Sequence, residues 1–144
     1  DHRESRGLGD VYKRQGQRRL RLSLGCHKTD VTTELAKGLL AQMANASADF
    51  TNTFSALDKT AATYPDWHAE WRAAKPDDAL WRNTNPSVIP RTHKIEQVIT
   101  SATDGNFAPF HAMLAALQHP FTPNAGYSLP PKESEKIHQT FCGT

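Results

Sequence analysis

This 144-residue chain is short of cysteine, has no long apolar run and carries no dominant sign of charge. Its two cysteines, Cys26 and Cys142, are too few for a secreted disulfide scaffold and point to a reducing compartment. No stretch approaches the roughly 18 consecutive apolar residues that cross a bilayer, so a soluble chain is the expectation. The 17 Lys and Arg against 15 Asp and Glu leave a net charge of +2. That balance provides no electrostatic footprint, so neither a nucleic acid nor a membrane is expected as a partner. Internal repeats are also missing, which removes the repeat architectures.

The opening run invites a phosphate-loop reading, with Gly7 and Gly9 ahead of Lys13 and Arg14. A different origin fits the whole run better. Residues 5–15, SRGLGDVYKRQ, match the translation of a common transposase-type sequencing adapter, and residues 1–4 fit a primer end plus barcode. Residues 1–15 are therefore expected to be an adapter artefact, with the genuine reading starting near Gly16. The remaining 129 residues hold 13 basic against 12 acidic side chains, a single-domain length with about one net charge.

Helical periodicity dominates what is left. Leu20, Leu22 and Leu24 alternate with polar residues, which predicts an edge strand over 18–22. From Asp30, placed to cap, Val31, Leu35, Leu39 and Met43 recur four apart with Leu40 beside them. A second helix begins near Ser47 or Asp49 with Phe50, Phe54 and Leu57 on one face. After Pro65, Trp67 and Trp71 lie one turn apart and are expected to pack together, with Pro76 marking the stop. NTNPSVIPR holds two prolines four apart and reads as a fixed loop. Thr92 is expected to cap a helix burying Ile95, Val98, Ile99 and Ala102 and stopping at Gly105. The last helix carries Phe110, Met113, Leu114 and Leu117, admits Pro109 in its first turn and closes at Pro120. The expected architecture is an all-α fragment, short helices over 16–119 and an extended Pro-rich tail over 120–144.

Sites of chemistry are sparse. The six histidines after residue 15, His27, His68, His93, His111, His119 and His138, form neither HExxH nor a site with paired CxxC, so no metal ligand is assigned. No serine occupies a GxSxG elbow, and Asp77 and Asp78 read as the start of a helix. Asp104 and Gly105 read as a turn at a helix end. Cys142, in TFCGT, is a candidate redox residue, with a plain free cysteine as the alternative.

ADFTNTFSAL at 48–57, NPSVIPRTHKIEQVI at 85–99, GNFAPFHAMLAALQHPF at 105–121 and the terminal TFCGT occur in the order found in the C-terminal region of the selenoprotein O family, which this chain resembles. Pro86, Arg91, Thr92, His93, Gly105 and Pro120 match that family's plan. The resemblance implies the C-terminal extension of a protein-kinase-like fold that transfers AMP from ATP, with Mg or Mn, to Ser, Thr or Tyr hydroxyls of protein substrates. It also implies that the nucleotide-binding and catalytic residues lie in an N-terminal kinase-like core, a partner in cis. No Gly-rich loop or VAIK-type lysine is present here, so no catalytic, cofactor-binding or metal residue is assigned and no cofactor is expected to bind this fragment.

Cys142 corresponds to the family's selenocysteine or cysteine position, for which a redox bond to the core is implied. Cys26 is an alternative partner, although it departs from the second apolar residue that relatives tend to carry after Leu24 and Gly25. The expected localisation is the bacterial cytoplasm. The competing reading is an independent helical protein-interaction module whose tail is a linker.

Overall fold

The computed structural model describes residues 15–135, apart from the side chain of Thr29. Among these residues every regular element is helical, in agreement with the all-α expectation. No described helix is long and apolar enough to cross a membrane. The chain divides into two compact units, Asp1–Asn85 and Pro86–Thr144.

In the first unit residues 15–24 form α1, which corrects the edge strand expected over 18–22. Leu20 and Leu24 are one helical turn apart as well as in alternation, and the helix buries Leu24 completely with Leu20 packed against the core. Gly25 ends α1 in the left-handed region at φ 65°. Its N–H donates to Leu22 O and the Cys26 N–H donates to Arg21 O, the paired bonds of a Schellman stop.

Helix α2, Thr29–Asn45, buries Leu35, Ala36, Leu39 and Met43. Val31 and Leu40 are 42% and 39% exposed, so the buried stripe is narrower than the pattern suggested. Asp30 sits in the first turn and not at the cap, which is Lys28 without a side-chain bond. Helix α3, Phe50–Ser55, is capped by Asp49, whose carboxylate accepts from the Asn52 N–H at 2.8 Å. A 3₁₀ turn, Leu57–Ala62, leads to α4, Pro65–Ala73, which packs against that turn and α2. Helix α5, Asp78–Thr84, completes the unit.

Three tryptophans fill the centre. Trp67 and Trp71 stack with ring centroids 5.8 Å apart, as their spacing predicts, and Trp81 meets Trp71 edge-on at 5.9 Å. Each indole N–H has an acceptor: Trp67 donates to Leu35 O and Trp71 to Leu24 O, both at 2.8 Å, and Trp81 to the Asp78 carboxylate at 3.1 Å. None of the three indole donors is therefore orphaned, which keeps burial of these rings favourable.

In the second unit α6, Thr92–Thr103, packs on α7, Ala108–Leu117. Thr92 is the first helical residue; the cap is Arg91, whose side chain makes no capping bond to the helix, correcting the expected Thr92 cap. Gly105 stops α6 at φ 82°, with its N–H on Ala102 O and that of Asn106 on Ser101 O. Val98 is buried, but Ile99 is 53% exposed, and the buried place goes to His93. Beyond Pro120 the tail is not uniformly extended: α8, Ala125–Ser128, and a 3₁₀ turn, Glu133–Glu135, interrupt it.

Candidate functional site

The motif residues Arg91 and His93 are held inside the second unit. Pro90 keeps the segment before α6 from coiling early. The N–H groups of Ser87 and Val88 donate to the Pro120 carbonyl at 2.9 and 3.0 Å, and the Ser87 hydroxyl approaches the same oxygen at 3.3 Å. The NPSVIPR loop is thus fixed to the chain that follows α7. Arg91, 8% exposed, donates through Nη2 to Ser128 O at 2.9 Å. The guanidinium thus reaches a backbone carbonyl at the end of α8.

His93 is 6% exposed, and burial pushes its pKa below the usual histidine value while the nearby Glu135 carboxylate partly opposes that shift. Glu135 accepts from the Lys132 N–H at 3.0 Å and from Gln97 Nε2 at 3.2 Å. The Lys132 bond is the main reason its carboxyl lies below the usual range, with the charge of His93 adding to it. These contacts join α6 to the segment after α8. The Ser128 carbonyl and the Glu135 carboxylate are the acceptors, and the arrangement acts as a clamp.

Cys26 lines a groove of about 600 Å3 in the first unit with His27, Lys28, Val31, Glu70 and Lys75. Its thiol is 4% exposed and approaches Leu24 O at 3.5 Å. Burial pushes its pKa up, with a hydrogen bond to Thr32 opposing, so the thiolate needed for exchange is disfavoured in spite of the cations at the rim.

The other sequence candidates fall apart in space or into structural roles. Asp77 caps α5 by accepting from the Leu80 N–H at 3.0 Å. Asp78 binds Arg72 at 2.7 Å and the Trp81 indole, the latter being the main cause of its lowered pKa. His68 lies between Thr60 Oγ1 at 3.0 Å and Leu57 O at 3.2 Å. Among the described residues no group of three His, Cys, Asp or Glu could hold a metal ion. Cys142, His138 and all of the adapter run except Gln15 lie outside the described residues. The acceptors of the clamp, Ser128 O and Glu135, were not singled out by sequence, because the Arg91 to Ser128 contact spans 37 positions and leaves no local signal.

No protein-family model matches the chain. It is similar to the protein nucleotidyltransferase YdiU of Ruegeria sp. (strain TM1040), 40% identical over an alignment covering 88% of this chain and 30% of that protein. The protein of the same name in Roseobacter denitrificans is 38% identical, covering 81% of the chain and 27% of that protein. That of Mycolicibacterium smegmatis is 34% identical, covering 88% and 28%. The chain spans about 30% of the length of the curated relatives it matches.

Proposed function

Because the chain belongs, over the stretch it spans, to the YdiU nucleotidyltransferase family, we propose that the complete protein transfers AMP from ATP to Ser, Thr or Tyr hydroxyls of protein substrates. In this reading the chain is the helical C-terminal extension of a kinase-like fold. The observation that carries it is the 40% identity, across most of the chain, to a protein named a nucleotidyltransferase.

ATP and its Mg or Mn ion belong to the upstream core. The residues present do not fit such a site: there is no Gly-rich phosphate loop with a kinase-type lysine, and the described residues bring together no set of metal ligands. No catalytic step runs through this chain, and alone it is inactive. The proposed location is the bacterial cytoplasm. Residues 1–15 are proposed to be adapter, which an adapter-free read of the source DNA across the Gly16 codon tests.

Cys142 is the proposed redox residue. Its thiol and a second thiol would each lose a proton and together pass two electrons to a disulfide-class oxidant, forming a disulfide that pins the tail until a dithiol reduces it.

The test is transfer of label from α-labelled ATP to protein. The complete protein is expected to label substrate and the 144-residue chain is not; label arriving only from γ-labelled ATP overturns the reading. Reductant is expected to raise activity of the complete protein, and Cys142→Ser to abolish that dependence.

A further inference from the structure

From Gly105 to Pro131 the chain runs for 27 residues without one Asp, Glu, Lys or Arg, although 22% of the whole chain is charged. At the charge density of an ordinary surface, about six such residues would stand there. The stretch is not buried to compensate. No residue of α7 is buried. Phe107, Phe110 and Leu114 follow one another three and four residues apart on one face, and they are 56%, 44% and 45% exposed. The other face of the helix, with the half-buried Met113, Ala116 and Leu117, accounts for its packing on α6. Phe121 and Leu129, in the same charge-free stretch, are 49% and 62% exposed.

Absence of charge together with exposed aromatic and branched side chains is the composition of the buried centre of a permanent interface, not of a wetted surface or of one that binds and releases. The matched relatives are more than three times as long as the stretch they share with this chain, so a larger body is covalently at hand. A covalently joined partner meets the face at an effective concentration that a separate molecule does not reach. We infer that the Phe107, Phe110 and Leu114 face of α7 is the seat of the upstream part of the same polypeptide. The inference rests on the reading above that such a core precedes this chain, and names the surface that receives it.

Photo-crosslinking in the complete protein tests this, with p-benzoylphenylalanine replacing Phe110 in one preparation and Leu114 in another. The aromatic replacement at 110 preserves the character of the face, and the second position guards against a local failure to fold. The expected product keeps monomer mass and joins α7 to a peptide from upstream of Gly16. A product of dimer mass overturns the inference in favour of a second copy. Adducts confined to residues 16–135, or no adduct from either position, overturn it by showing an open face. AMP transfer measured on the unsubstituted protein separates the two claims: transfer without the cis adduct sinks only the docking surface, and the cis adduct without transfer sinks only the activity.

Discussion

Gly25 is the position where a single atom decides most. It takes φ 65°, and a Cβ there would stand 2.6 Å from Asp77 O, the residue whose N–H donates to Gly25 O at 2.8 Å. Gly25→Ala therefore combines left-handed strain with a backbone clash that no side-chain rotation relieves, and the expected loss is on the order of 2–4 kcal/mol, read from urea unfolding. Gly105, at φ 82° with open space about it, carries only the strain, and Gly105→Ala is expected to cost about 1 kcal/mol. His93 gives a pH signature. Its folded pKa is depressed by burial, so the neutral ring is stabilising above the unfolded value near 6.5, and that contribution is lost as pH falls through the folded pKa. Urea midpoints are expected to drop between pH 7.5 and 5.5, and His93→Gln to flatten that slope; an unchanged slope places the acid sensitivity elsewhere. The Trp67 and Trp71 pairing was legible in the sequence because both residues share one helix. The burial of His93 was not, since the segment carrying Ser128 and Glu135 meets Arg91 and Gln97 only through contacts far along the chain.

At the scale of elements, local chemistry was readable where the side chain acts within its own turn. Asp49 and Asp77 follow that rule: each accepts the N–H three residues on. Asp30 has the same residue type before the same kind of apolar stripe, yet α2 starts one residue earlier, leaving it inside the first turn. Asp77→Ala and Asp49→Ala are each expected to cost about 1 kcal/mol, and Asp30→Ala less than about 0.5 kcal/mol, in the same unfolding assay. Equal losses at all three would mean that general helix-dipole charge, and not the cap bond, sets the stability. The misread of α1 has a related cause. Three leucines at alternate positions satisfy a strand period, and two of them satisfy a helical turn, so the five residues from 20 to 24 cannot decide between them. The decision came from Gly25, whose Schellman bonds require a helix before it.

For the whole molecule, the sequence contained the charge-free stretch, but nothing in its periodicity separated the face of α7 that meets α6 from the face that does not. Phe110 and Leu114 fit a buried stripe as well as Met113 and Leu117 do, and only the packing sorts them. That sorting makes one double substitution act with opposite signs in two contexts. In the 144-residue chain, Phe110→Lys with Leu114→Lys is expected to reduce binding of a hydrophobic dye severalfold and to slow aggregation, because it wets an exposed apolar face. In the complete protein the same pair would place two ammonium groups in a dry contact and cost on the order of 3 kcal/mol, seen as a lower thermal midpoint. A surface that merely happens to be apolar would gain in both settings. A surface that belongs to the core of α6 and α7 would lose in both. Only a face built to be covered by another part of the polypeptide improves when that part is missing and fails when it is present.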